Sequence, residues 1–262
     1  MASPSPLRIG VLLAYPVQLL DLSSVDLFAM ASKSYLSSCN LPSSITSLAI
    51  ESEIYYIGPS TTTTSSSSSS PTNKTSARFT TCTANASLQT THHITSPSLR
   101  PGNLDILFIP GADPNLIPST DVCDFISAHY ANGHGATVLA VCTGVIFAGY
   151  AGVIKGKRVT GPRMLVGGLK GKFPDAKEWV SGVRWVRDGK VWTCGGITNG
   201  NDLVAAYIRE TFPGPLAEVI CALADVGDRK REYETGLARD TGFFVWQIFR
   251  AFPVSWWRRV WG

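Results

Sequence analysis

The run Thr137 to Gly152, TVLAVCTGVIFAGYAG, restricts this chain more than any other stretch. Its first part, Val138 to Val141, is apolar and largely β-branched, as a buried strand requires. Its second part, Val145 to Ala151, reads as a helix, and only Cys142, Thr143 and Gly144 separate the two. A buried strand that turns at once into a helix, with a nucleophile-capable side chain at the turn, has the pattern of a nucleophile elbow. Such a turn holds its residue in a strained backbone conformation. It also places the side chain at the positive end of the next helix, which predicts a depressed thiol pKa. The spacing alone fits equally well a buried, inert cysteine on a core strand.

The flanking pattern supplies a sheet for such an elbow. Arg8 to Tyr15 (RIGVLLAY) and Leu104 to Pro110 (LDILFIP) are short continuous apolar runs, as expected of parallel strands covered on both faces. Gln18 to Tyr35 reads as one helix with Leu20, Val25, Leu27, Phe28 and Met30 apolar and Asp21 near its start. Leu48 to Ile57 predicts a second strand, and Phe79 to His93 an exposed strand or hairpin that resumes the sheet. A strand and helix at the start, repeated along the chain, predict an α/β fold with a doubly wound, mostly parallel sheet sandwiched by helices. Asp121 to Asn132 reads as a helix, Val159 to Gly161 as a short strand, and Met164 to Lys172 as a glycine-rich connection or helix. Trp179 to Val186 and Lys190 to Cys194 predict a hairpin around Asp188 and Gly189. A glycine-rich turn from Gly195 leads into a helix from Leu203 to Thr211, and Ala217 to Leu223 reads as another. Asp202 is expected to cap the Leu203 helix.

Composition narrows the class. With 262 residues, 44% hydrophobic and 16% charged, the chain can bury a substantial core in one domain. A formal charge of +4 without a dense Lys/Arg run gives no support to a nucleic-acid partner. The six cysteines (Cys39, Cys82, Cys123, Cys142, Cys194 and Cys221) contain no C-x-x-C pair, which removes the common zinc spacings, and no metal or other cofactor is expected. The first residues lack the pattern of a secretory signal, so a cytoplasmic protein with reduced thiols is expected. Cys194, beside glycines, is expected to be structural, and His92, His93, His129 and His134 to be surface or loop residues. Residues 60–76, rich in serine and threonine, read as a flexible insertion in a domain spanning 1–228. Residues 229–262 form an aromatic extension. It is expected to pack on the domain or across a dimer interface rather than to touch a membrane, although its Trp/Arg mixture also occurs at membrane surfaces.

Four stretches in order resemble the ThiJ/PfpI superfamily, the class I glutamine-amidotransferase-like proteins with a cysteine elbow. They are Gly10 to Phe28 (GVLLAYPVQLLDLSSVDLF), Asp105 to Ala112 (DILFIPGA), Ala140 to Gly152 with Gly156 to Thr160, and Trp192 to Asp202 (WTCGGITNGND). The Cys-Thr-Gly form is most similar to the isonitrile-hydratase and transcriptional-regulator branch, and the general style resembles fungal sequences. The resemblance implies a flavodoxin-like sheet and a small-molecule substrate at Cys142, with a homodimer as the common assembly. It makes Cys142 the nucleophile and Asp21 the acid that faces it and shuttles a proton. It also implies an anion pocket from the backbone amides of Gly111, Ala112 and Thr143, with the Thr143 hydroxyl orienting water or substrate. The stretch Val159 to Arg163 corresponds to a turn where many relatives carry a histidine, and it has none; Arg163 is expected either to bind an anionic substrate group or to be solvated. The missing histidine weakens a Cys-His-acid triad, and no helix-turn-helix pattern follows residue 225. The functions implied are isonitrile hydration, glyoxalase-type hydration of a 2-oxoaldehyde, or a non-enzymatic redox-sensing or chaperone-like role of Cys142.

Overall fold

The computed structural model describes residues 5–59, 78–131 and 135–261, without side chains at 78, 131 and 253–261. β1 (Leu7–Leu12) carries the first apolar run, and its last four residues are buried. The single helix expected from Gln18 to Tyr35 is instead a 3-10 stretch, Leu19–Val25, followed by α1 (Asp26–Ala29) and α2 (Lys33–Ser38). The cause is local. The hydroxyls of Ser23 and Ser24 bond back to the carbonyls of Leu20 and Asp21, 2.8 and 3.5 Å away, in competition with the α-helical ladder. Leu20, assigned to an apolar helix face by its spacing, is exposed.

After α3 (Ser43–Thr46), β2 (Ser52–Gly58) lies parallel to β1. The expected strand from Phe79 to His93 does not resume the sheet as a unit. β3 (Arg78–Thr81) and β4 (Ser87–Thr90) pair with each other as a separate antiparallel ribbon, and only β5 (His92–His93) adds to the edge at β2. β6 (Ile106–Ile109) is buried throughout, α4 (Thr120–Ala131) follows, and β7 (Thr137–Ala140) runs into α5 (Gly144–Tyr150) as the elbow pattern predicts. β8 (Arg158–Val159) pairs with β9 (Glu178–Trp179) in a second small ribbon, with α6 (Val166–Lys172) between them. Trp179 therefore lies outside the hairpin predicted for it. That hairpin is β10 (Trp185–Asp188) and β11 (Val191–Cys194), turning at Gly189, whose φ is +63°. α7 (Asn199–Thr211) begins four residues before the expected Leu203, and α8 (Gly214–Ala224) and α9 (Leu237–Trp261) complete the chain.

The seven-stranded main sheet has the order β10-β11-β7-β6-β1-β2-β5, parallel except for the β10 edge. Its central five strands, β2-β1-β6-β7-β11, follow the flavodoxin-like order, so the expected fold class holds. Order reverses at β1, which has β2 on one side and β6 on the other. In open parallel sheets, ligands bind in the crevice outside the strands' carboxyl ends at such a reversal. The core fills the space between sheet and helices with Phe28, Phe108 and Phe147 among its largest fully buried side chains. The Ser/Thr-rich segment 60–76 and His134 lie outside the described residues.

Candidate active site

Three chain segments leave the carboxyl ends of β1, β6 and β7 and meet in that crevice. From β1 comes the 3-10 stretch with Asp21, fully buried. From β6 comes the turn Pro110, Gly111, Ala112. From β7 comes Cys142, whose φ of +55° lies in the left-handed region. A non-glycine residue there stores about 1–3 kcal/mol of backbone strain, as an elbow does. Gly144 completes the elbow: its N–H donates to the Val141 carbonyl at 2.8 Å, and a Cβ on it would run into the carbonyl of Ile109.

Gly111 is the point where the three meet. A Cβ built there would stand against Asp21 Oδ2, 2.7 Å from Thr143 Oγ1 and 3.2 Å from Cys142 Cβ. Its N–H donates to Asp21 Oδ2 at 2.8 Å, and its carbonyl accepts from the Gln18 N–H at 2.8 Å. Thr143 clamps the next residue from both sides. Its hydroxyl accepts from the Ala112 N–H at 2.9 Å and donates to the Ala112 carbonyl at 2.6 Å. The expected anion pocket is corrected by these bonds. The amides of Gly111 and Ala112 already have acceptors, and of the three only the Thr143 amide faces the Cys142 sulfur. The Thr143 hydroxyl likewise holds a loop in place, and it also faces the Cys142 sulfur.

The electrostatics also differ from the expectation. Burial holds the Asp21 carboxyl at a pKa of about 7, against a smaller opposing pull from the Gly111 hydrogen bond. Its Oδ1 is buried without a hydrogen-bond partner. The Cys142 thiol is pushed up to about 12, first by burial and then by the Asp21 charge. Donation from Thr143 opposes this and loses. Desolvation beside a carboxylate disfavours the thiolate. The depressed pKa expected of the elbow is therefore not found: Cys142 is an un-ionised thiol next to a carboxyl that titrates near neutrality.

Supporting residues that the sequence did not single out hold this arrangement. Tyr15 stacks on Phe147 with ring centres 3.9 Å apart, and its hydroxyl donates to the Pro110 carbonyl. The Ser23 hydroxyl, bonded to the Leu20 carbonyl, also lies 3.0 Å from the Asn201 side-chain amide, which ties the Asp21 segment to the start of α7. The Cys142 N–H faces the sulfur of fully buried Cys194, which makes that residue a neighbour of the site as well as part of the core. A serine pair and a strand-end tyrosine give no local signal of such contacts.

The remaining candidates sit elsewhere. Arg163 is ion-paired with Asp240, donates to the Thr235 carbonyl at 2.5 Å and lies 4.0 Å from the Tyr233 ring centre. It is bound to the segment after α8, and with Thr160, Ser181 and Leu237 it lines a small cavity there. Asp202 is buried in the first turn of α7 and ion-paired with Arg229, while Thr198 occupies the N-cap position assigned to it. The two arginines and Tyr233, which Asn199 and Arg184 also contact, strap residues 228–240 over the α7 entrance. His129 is not a surface residue. It is buried in α4, its Nδ1 is 2.9 Å from the Phe125 carbonyl, and desolvation lowers its pKa. His92 and His93 are half-buried on the β5 edge. Among the described residues, no group of three or more His, Cys, Asp or Glu could hold a metal ion.

The profile of the DJ-1/PfpI family matches residues 56–210, more than half of the chain. An isonitrile hydratase from Pseudomonas putida is 29% identical over 123 residues, which is 45% of this chain and 50% of that protein. The chain thus aligns with about half the length of this relative. Among solved structures, a ThiJ/PfpI family protein from Pseudomonas syringae matches with a TM-score of 0.59 at 18% identity, over 88% of this chain and 79% of the other. Drosophila melanogaster DJ-1beta matches with a TM-score of 0.60 at 13% identity, over 85% of this chain and 99% of its own. At these identities the two structures speak for the fold alone.

Proposed function

As the chain belongs to the DJ-1/PfpI family, we propose that it is a cysteine-dependent hydratase of small molecules, with isonitriles as the substrate class. The observation that carries this reading is the pairing of an un-ionised Cys142 thiol with a buried Asp21 carboxyl that titrates at about 7 and has one oxygen unbonded. A carboxyl in that range accepts and returns a proton at neutral pH. The partial likeness to an isonitrile hydratase supports the choice of substrate.

The chemistry balances without a redox step. Cys142 Sγ adds to the terminal isonitrile carbon while its proton passes to Asp21 Oδ1. Asp21 returns the proton to that carbon, leaving a thioimidate on the cysteine. Water then adds to the same carbon, with Asp21 taking a proton from it and the imine nitrogen gaining one. Loss of the thiol from the tetrahedral carbon releases an N-substituted formamide and restores Cys142. The Thr143 amide, facing the sulfur, stabilises charge on it as it arrives and leaves. Thr143 and Gly111 act as positioning residues, holding the loop and the carboxyl.

The test is formamide production from an alkyl or aryl isonitrile by the wild type, Cys142→Ala and Asp21→Asn. Turnover by the wild type alone supports the reading. Equal background in all three, with 2-oxoaldehydes also unconverted, would remove it.

A further inference from the structure

The C-terminal helix carries a surface that the Cys142 chemistry does not use. α9 is fixed at its base, where Asp240 pairs with Arg163 and accepts from the Thr235 hydroxyl at 2.9 Å. Beyond that point its apolar side chains face solvent. Phe243, Phe244, Val245, Trp246, Ile248 and Phe249 are each between 51% and 66% exposed. The expected packing of this extension on its own domain is therefore not found for these residues. An apolar patch of this kind marks an interaction surface.

Two observations say what covers it. The first is shape. Phe243 to Trp246 are four consecutive residues, about 100° apart around the axis, and all four are exposed. Apolar surface therefore extends around most of the helix, wider than the single stripe that a partner helix covers. The narrow polar side holds Gln247 and Arg250, which are bonded to each other at 3.4 Å. The second is charge. After Asp240, which Arg163 occupies, the sequence has no acidic residue, but it has Arg250, Arg258 and Arg259 together with Trp246, Trp256, Trp257 and Trp261. A second copy of this helix would offer these arginines no acidic residue besides Asp240, which Arg163 already holds. An anionic lipid surface supplies both the apolar layer and the opposite charge. Among the described residues no helix is long and apolar enough to cross a membrane.

We propose that α9 docks the protein on an anionic phospholipid surface, lying in the plane of the interface. The measurement is cosedimentation of the full chain with vesicles of phosphatidylcholine alone and of phosphatidylcholine with phosphatidylserine, read alongside the oligomeric state by analytical ultracentrifugation. The expected result is binding to the phosphatidylserine vesicles that added salt weakens, with little binding to phosphatidylcholine. Binding is expected to fall at least about tenfold in Trp246→Ser/Phe249→Ser, whose exposed positions leave the core intact. Arg250→Glu is expected to remove the lipid selectivity. No vesicle binding by a folded wild type would overturn the proposal. So would binding that the double variant leaves unchanged, or a dimer that the double variant dissociates while vesicles are ignored.

Discussion

Asp21 and Gly111, ninety positions apart, share a hydrogen bond of 2.8 Å that fixes one oxygen of a buried carboxyl and leaves the other without a partner. A carboxylate placed there loses water on all sides and regains one backbone donor. Its proton is accordingly retained to about pH 7.

Stability should therefore depend on pH in a defined direction. The folded pKa of Asp21 lies above the unfolded value of 3.8. The folded state holds the proton more tightly, so this group's contribution is complete below about pH 4 and is lost as pH rises towards 7. Asn at position 21 carries no charge and keeps an oxygen for the Gly111 amide. Asp21→Asn is expected to be more stable than the wild type at pH 8 by about 2–4 kcal/mol. Denaturant titrations at pH 4 and pH 8 check this, with the gain absent at the lower pH.

The same substitution should move activity and thiol reactivity in opposite directions. Turnover of an isonitrile should rise as Asp21 ionises near pH 7 and then level off, because the carboxylate must accept the thiol proton. Asp21→Asn should lower kcat/KM by about 10²–10⁴. Yet the Asp21 charge is one of the causes that raise the Cys142 pKa, so its removal should speed iodoacetamide alkylation of Cys142 at pH 8. Slower alkylation in the variant would show that the two groups are not coupled in this way.

Gly111→Ala should damage the site itself. The added methyl would stand 2.7 Å from Thr143 Oγ1 and press on the Asp21 carboxyl. Relieving that contact requires the loop after β6 to move away from the elbow. A loss of at least about 100-fold in kcat is expected from such a misplacement, with far-ultraviolet circular dichroism unchanged.

Thr143 separates a positioning role from simple bulk. Thr143→Val keeps the shape but abandons both hydrogen bonds to Ala112. An expected destabilisation of about 1–3 kcal/mol should come with weakened turnover. Thr143→Ser, which keeps the hydroxyl, should restore most of both, as paired melting and rate measurements would read.

Arg163→Ala should release the strap rather than weaken substrate binding. Its guanidinium is largely buried against Asp240, Thr235 and Tyr233. A loss of about 1–3 kcal/mol is expected from the broken charged hydrogen bonds, with faster proteolysis within residues 228–240 and an unchanged KM. A raised KM without new cleavage would return Arg163 to the substrate.

Much of the sheet was legible because its strands are continuous apolar runs, and such runs report burial on both faces directly. The elbow was legible for the same reason, since Val138 to Val141 ends abruptly in Cys-Thr-Gly. Where short-range pattern had to compete with side-chain hydrogen bonds, it misled. Ser23 and Ser24 turn the predicted helix over Asp21 into a 3-10 stretch. Arg163 was misread for a different cause. Its partners Thr235 and Asp240 come from a segment more than seventy positions later, and no local pattern announces them.

The sequence by itself determined which strands are central, where the chain turns sharply, and that Gly111, Cys142 and Thr143 lie in turns at strand ends, with Asp21 soon after the first strand. Tertiary structure alone decided what those residues can do there. Which amides remain free depends on bonds from Gly111 to Asp21 and from Ala112 to Thr143, made between separate strands. Whether Cys142 is a thiolate or a thiol depends on desolvation and on the charge of Asp21, and these outweigh the hydrogen bonds from Thr143. Hydrophobic periodicity is a property of neighbours along the chain. Solvation of a charge is a property of everything packed around it, and that is fixed only when the chain has folded.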